Sequence, residues 1–322
     1  MLKKLIAAAV LAAGAAGAFA QQYPAKPVQM IVPFSAGGPT DVVARSLAQA
    51  MSKAIGGNIV VDNRPGAGGT LGAEMVKNAQ PDGHTLLLHH IGMATAPALY
   101  RTLRFNPLTD YEFVGLVVDV PMTLVGKKDL PPANFKDLLP YVKTNAQKLN
   151  LANAGIGSAS HLCGLLLMSR LETDLTTVPY KGAAPAMTDL QGGQVDLLCD
   201  QTTNTSQPIQ SGRIKAYGAT TQQRLSVLPD VPTLAEQGLP NFEIAVWHAL
   251  YAPKGTPKPV VDKLVKGLQD SLGDAAFKES MGKLGAIVVP ASKATPEALG
   301  GYLKAEIDRW TPIIKKAGQY AD

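Results

Sequence analysis

Apolar residues fall into two patterns along this chain, short continuous runs and longer stretches at helical spacing, and the two alternate. Val28-Gln29-Met30-Ile31-Val32, closed by Pro33, reads as a buried strand. Thr40-Asp41 opens a helix in which Val43, Leu47, Ala50 and Met51 recur at helical spacing until Gly56-Gly57 ends it. Residues 58–62 read as a second strand, 70–78 as a second helix, Pro81-Asp82-Gly83 as a turn and 85–89 as a third strand. This β-α-β-α-β order implies a parallel sheet covered by helices on both faces.

The pattern then restarts. Residues 113–118 and 122–126 read as two strands around Pro121. Helices over 134–145, 160–171 and 184–190 alternate with strands over 149–152, 176–178, 195–199 and 213–219. A strand-like run over 242–251 leads to helices at 259–272, 274–283 and 296–316, with one strand at 286–289. Three helices and one strand make no third α/β unit, so the tail is expected to complete the first sheet. The chain then crosses between lobes twice, near 120 and near 248. That predicts an α/β fold of two lobes with a two-stranded hinge and an interdomain cleft. The first lobe is expected over 21–122 plus 250–322, the second over 123–249.

The N-terminus carries a different pattern. Lys3 and Lys4 precede an apolar run from Leu5 to Leu11, and small residues lead to Ala18-Phe19-Ala20. This reads as a signal peptide over 1–20, cleaved after Ala20. The alternative, a membrane anchor, would need about 20 strongly apolar residues. Removing 20 of the 322 residues leaves 322 − 20 = 302, and the net charge of +5 becomes (30 − 2) − 25 = +3. So small and scattered a charge offers no stripe for nucleic acid. Two cysteines cannot make a four-thiolate zinc site; in an exported chain Cys163 and Cys199 suggest one disulfide, the alternative being two buried thiols.

Two glycine-rich loops carry the candidate chemistry. In Pro33-Phe34-Ser35-Ala36-Gly37-Gly38-Pro39-Thr40-Asp41 a strand end feeds a helix start, where free N–H groups and the helix dipole favour an anion. Asp41 there caps or orients the loop rather than meeting an anion. Asn153-Ala154-Gly155-Ile156-Gly157-Ser158-Ala159-Ser160-His161 repeats the arrangement in the other half. It lacks the third glycine of a dinucleotide loop and a placed acid for a ribose, so no nucleotide cofactor is expected. One loop per lobe suits a ligand with two anionic ends. His89 and His90 point to opposite faces of a strand, and no His/Asp/Glu set has metal-ligand spacing. Ser35 and Ser158 are either hydroxyl donors to a bound carboxylate or nucleophiles of an exported serine-type hydrolase. Neither sits in G-x-S-x-G, and no base pairs with them in sequence.

Further segments carry a resemblance. Val32–Asp41, Val61-Asp62-Asn63-Arg64-Pro65-Gly66-Ala67-Gly68-Gly69, Pro81-Asp82-Gly83-His84-Thr85, Gly155–His161 and Val178-Pro179-Tyr180-Lys181-Gly182 resemble the Bug-type receptors, the solute-binding proteins of tripartite tricarboxylate transporters. So do Gly192-Gly193-Gln194-Val195-Asp196, Leu228–Thr233 and Ala252–Pro257, in order along the whole mature chain. The resemblance implies a two-lobed periplasmic-binding-protein fold that closes on a small carboxylate, without cofactor or metal, as a monomer that serves membrane permease subunits. It points to Phe34, Ser35, Ala36, Gly37, Gly38 and Asp41, with Gly92, Met93 and Ala94 in the loop after the third strand. From the second lobe it points to Gly157, Ser158, Ser160, His161, Gly182, Ala183 and Asp200, with segment 199–204 and Trp247-His248 tuning selectivity. Segments 91–100 and 199–205 are similar to the terephthalate-binding branch.

Overall fold

The computed structural model describes residues 23–318 together with 320 and 321; the segment read as a signal peptide lies outside them. Among the described residues ten strands form one curled, mixed sheet that runs through both halves. In the first half, β1 (Val28–Val32) lies between β2 (Ile59–Asn63) and β3 (Thr85–His90), all parallel, with helices α1 (Pro39–Ile55) and α2 (Thr70–Lys77) as crossovers. Helix α1 starts with Pro39 in its first turn, where the missing N–H costs nothing. It ends at Gly56, whose φ of 69° closes the last turn. Between these ends Val43, Ala44, Leu47 and Met51 pack against the sheet.

In the first half the parallel order stops at those three strands. Beside β3 runs β9 (Ala245–Pro253), antiparallel to it, and then β4 (Tyr111–Lys127), antiparallel to β9. The sheet is mixed because β9 enters from the other half of the chain and runs against its neighbours. Nor do two strands flank Pro121: β4 is one 17-residue strand through it. Pro121 pairs with Ala245 as the last step of the β4–β9 ladder, and Met122 opens the β4–β7 ladder opposite Gln201. A residue with no N–H is tolerated where one ladder hands over to the next.

Beyond that point β4 belongs to the second half. There it pairs with β7 (Leu197–Gln201) and β8 (Ile214–Ala219), and β7 continues to β5 (Asn150–Asn153) and β6 (Thr176–Pro179). Helices α4 (Phe135–Asn145), α5 (Ala159–Leu171) and α6 (Ala183–Gln191) cover it, while α8 (Lys258–Gly273), α9 (Ala275–Lys283), β10 (Ile287–Val288) and α10 (Pro296–Ala317) return to the first half. β10 pairs with β4 there, at Val118 and Asp119.

Two helices differ from the sequence reading. Residues read as a loop after β3 form α3 (Gly92–Leu99), and α7 (Thr202–Gln210) follows β7 directly. The α7 sequence is poor in helix formers, with three Thr, a Ser, an Asn and Pro208. Tertiary contact outweighs propensity: Thr205 is buried with its hydroxyl 2.7 Å from that of Thr123 on β4. Among the described residues no helix is long and apolar enough to cross a membrane.

Candidate functional site

Both glycine-rich loops lie where residues of the two halves touch, Gly38 beside Ala183 and Gly155 beside Gly68, and each precedes a helix. In the first, the Asp41 carboxylate receives the Gly37 N–H (2.8 Å), Arg45 Nε (2.8 Å) and Asn63 Nδ2 (3.0 Å). The Asn63 amide also donates to the Phe34 carbonyl at 3.0 Å. Burial alone would raise the Asp41 pKa. The bonds from Arg45, Gly37 and Asn63 and the charge of Arg45 outweigh burial and hold it below the usual carboxylate range. Asp41 is thus spent on holding the loop, and Gly37, at φ 76°, takes the turn a side chain resists.

The second loop is held by neutral groups. Asn153 Oδ1 accepts the Gly155 N–H at 2.9 Å, His161 Nδ1 the Gly157 N–H at 3.3 Å, and Ser158 Oγ caps α5 by accepting the His161 N–H at 3.2 Å. Burial lowers the His161 imidazole to a pKa of about 4, so it is neutral near pH 7. Ser160 Oγ donates to the Cys199 carbonyl at 2.7 Å, and a Cys163–Cys199 disulfide, with Cα atoms 6.1 Å apart, ties α5 to β7. That bridge fixes Ser160 and Asp200, three residues before one cysteine and one residue after the other.

Between the loops lies a cavity lined from the first half by Phe34, Pro39, Thr40 and His90. From the second half it is lined by Ala154, Ser158, Ala159, Ser160, Ala183, Asp200 and Gln201. It measures about 10 Å³, room for little more than one water. A second chamber of about 230 Å³ adjoins it through Phe34 and Ala154 and is lined by Gly66–Gly69, Tyr100, Ile156 and Lys181. The halves touch closely around both. Tyr100 Oη lies 2.6 Å from the Ala67 carbonyl and 2.9 Å from the Ile156 carbonyl, joining one half to the other. A Cβ on Gly182 would lie 2.2 Å from Ser35 Oγ, and one on Gly68 2.1 Å from the Ile156 carbonyl.

Among the described residues no Lys or Arg lines the small cavity. Its polar surface is neutral apart from Asp200. The His90 Nδ1 accepts the Gly92 N–H at 3.0 Å, so its proton sits on Nε2, and the ring stacks on Phe34 at 4.5 Å. Burial, with the nearby rings of His89 and His248, drives the His90 pKa well down. Burial also lowers His248 to about 3; its Nε2 lies 3.2 Å from Thr40 Oγ1. Asp200 is the opposite of Asp41. Burial pushes its carboxyl up to about 6, although Asn204 donates to it at 2.6 Å and the Gln201 N–H also bonds it. Ser35 Oγ and Gln201 Oε1 are buried and have no hydrogen-bond partner among the described residues.

Of the residues singled out from sequence, Phe34, Ser158, Ser160, Ala183 and Asp200 line this cavity. Ser35, Gly38 and Gly182 lie at the contact beside it, while Ala36 and Gly37 are exposed on the loop. Gly92, Met93 and Ala94 are buried in α3, Met93 and Ala94 in the core rather than at the cavity wall. Trp247 points elsewhere, with Nε1 donating to Glu306 at 3.1 Å. Its neighbour His248 faces the cleft. Sequence reasoning did not single out Thr40 or His90, and it reached Gln201 only within the 199–204 segment. Thr40 stood inside the first loop motif, but nothing in sequence chose between His89 and His90.

The description "Tripartite tricarboxylate transporter family receptor" matches residues 43–319. Among solved structures the chain is similar to the periplasmic binding protein BugD, at 56% identity and a TM-score of 0.91 over 92% of this chain and 99% of that one. It is similar to MatC from Rhodopseudomonas palustris with bound malate, at 40% identity and 0.88 over 91% and 100%. A third, an R. palustris protein with adipate, has 33% identity and 0.87 over 92% and 98%. With that match over most of its length, and neighbours of this likeness, the chain belongs to the tripartite tricarboxylate transporter receptor family.

Proposed function

We propose that this protein is a periplasmic receptor, exported by its N-terminal segment, that closes on a small dicarboxylate and presents it to the permease subunits of a tripartite tricarboxylate transporter. In this reading residues 21–122 with 250–322 form one lobe and 123–249 the other, and the lobes turn about the Pro121–Ala245 pair. The observation that carries it is the meeting of two glycine-rich helix starts across a small cavity with no Lys or Arg among the described residues that line it. Neutral N–H and O–H donors at such helix starts can hold a carboxylate, because bonds to an ionised acceptor are about twice as strong as neutral ones. Phe34, Ser35 and His90 Nε2 serve one end of the ligand; Ser158, Ser160 and the start of α6 at Ala183 serve the other. The ligand takes its room by displacing the Phe34 ring toward the adjoining chamber. Malate and adipate, bound by two similar proteins, give the solute class; terephthalate is the aromatic member to try.

A serine-type hydrolase is the competing reading. Against it, neither Ser35 nor Ser158 is hydrogen-bonded to an imidazole among the described residues, and the His161 ring, with a pKa of about 4, is a poor base near neutral pH. Calorimetric titration and thermal unfolding with malate, succinate, adipate and terephthalate test the proposal. At least one should bind one-to-one, adding about 2.7 kcal/mol of stability at a hundredfold over its Kd. No binding by any of the four overturns the receptor reading. Ester turnover that disappears in Ser35→Ala or Ser158→Ala would replace it.

A further inference from the structure

Successive side chains of a strand face opposite sides, so β9 turns Trp247 away from the cleft that His248 faces. Trp247 forms one wall of a separate groove of about 520 Å³, completed by Leu116, Ile287, Val289 and Tyr302. This groove shares no lining residue with the cavity between the loops. Its wall is open to solvent: Ile287 is 62% and Tyr302 39% exposed, and the Trp247 and Tyr302 rings meet edge to face at 5.5 Å.

Of the charged groups that line it, Lys293 and Glu297 are exposed at the rim, and the Asp119 carboxyl is the one sunk into the apolar surface. Its Oδ1 is buried and has no hydrogen-bond partner among the described residues. The neighbouring acid is already satisfied: Glu306 Oε2 accepts the indole N–H of Trp247 at 3.1 Å and of Trp310 at 3.0 Å, and Oε1 meets Arg309 at 3.3 Å. Burial first, then the charges of Glu306 and Glu243, push the Asp119 pKa up to about 6, against the backbone N–H of Val120, which bonds the carboxyl, and the charge of Lys293. A buried acceptor left without a donor is costly, and here it sits among aromatic and aliphatic walls. A concave apolar groove with one converging polar group of shifted pKa has the makeup of a ligand site.

We propose that this groove is a second binding site, for a small molecule with an apolar body and one ammonium group. The body packs against Trp247, Tyr302 and Ile287. The ammonium supplies the donor that Asp119 Oδ1 lacks and lies near the aromatic faces that attract a cation. Asp119 and Trp247 each stand two residues from the Pro121–Ala245 pair, so the site lies beside the passage between the halves rather than in the cleft.

The probe is 2-phenylethylamine, with 2-phenylethanol as its uncharged counterpart. The chain's two tryptophans, Trp247 and Trp310, both hydrogen-bond Glu306, so intrinsic fluorescence reports on the groove directly. The amine should change that fluorescence saturably near neutral pH. The alcohol, and the amine acting on Asp119→Asn, should each bind at least about tenfold more weakly, a difference of about 1.4 kcal/mol. Amine affinity should also fall as pH drops below about 6, because Asp119 takes up a proton while the alkylammonium stays charged. The groups facing Asp119 in that range are Glu306, Glu243, Lys293 and the Tyr302 ring, with Glu297 at the rim and Arg309 beyond Glu306. No saturable response to the amine overturns the proposal, as does an equal response to the alcohol or from Asp119→Asn. Comparing amine and alcohol on the unaltered protein needs no variant to fold.

Discussion

The loops over 33–41 and 153–161 are built on one plan, a strand end, glycines and a helix start, yet they are held by different forces. The first is clamped ionically: Asp41 gathers Gly37, Arg45 and Asn63. The second is neutral, with Asn153, Ser158 and His161 bonding their own loop and the Cys163–Cys199 bridge tying the helix to β7 behind it. The carboxyls of the two halves are shifted in opposite senses, Asp41 down and Asp200 up. Similar loop sequences therefore present similar N–H groups while depending on different solution conditions. Acid should loosen the first and a reductant the second.

The largest effect on binding should come from the contact that joins the loops. Gly182→Val puts side-chain atoms against Ser35 at a residue whose φ is 141°, so the halves cannot approach. Dicarboxylate affinity should fall by about a hundredfold or more, roughly 2.7 kcal/mol, with far-UV circular dichroism unchanged. Full affinity in this variant would separate the contact from binding.

Removing the disulfide tests the second half alone. The Cys163→Ala, Cys199→Ala double variant opens a loop of sequence separation 36 and should lose about 4 kcal/mol in denaturant unfolding by the chain-entropy account. A reductant should do the same to the parent protein and nothing further to the variant.

Asp41→Asn tests the ionic clamp and should lower stability at neutral pH by about 1.5–3 kcal/mol, the worth of bonds to a charged group. Because the folded pKa of Asp41 lies below its unfolded value, its contribution is present above the unfolded value and is lost as pH falls through the folded one. Asp200 has the reverse sign. With a folded pKa of about 6, it makes the fold relatively more stable as pH drops from about 7 toward 4, and Asp200→Asn should remove that slope. Urea titrations of both variants at several pH values check the two signs; slopes of one sign would erase the contrast.

Tyr100→Phe should give the smallest change. It deletes the hydroxyl between the Ala67 and Ile156 carbonyls, and ligand affinity should drop by about threefold to tenfold with the melting temperature nearly constant.

Most strands and helices were legible because their apolar periods are local properties of the chain. What escaped depended on distant partners. The α7 segment looks like a loop until Thr205 meets Thr123, 82 residues away. Pro121 reads as a strand break until the handover between two ladders makes its missing N–H harmless. At the site, the two glycine loops and Asp200 could be read from sequence, as could a loop-orienting role for Asp41, but not its Arg45 partner. The third member, Asn63, comes from another strand. The juxtaposition of Thr40 with His248, 208 residues apart, has no local trace, nor does the turning of Trp247 toward Glu306.

The central claim is that one dicarboxylate is held by both loops at once, and amide NMR tests it most directly. In a titration of the uniformly 15N-labelled protein with malate or adipate, the N–H resonances of Gly37 and Gly38 should shift together with those of Gly157 and Ser158, saturating with a single Kd. Shifts confined to one loop, or two loops saturating at different concentrations, would contradict it.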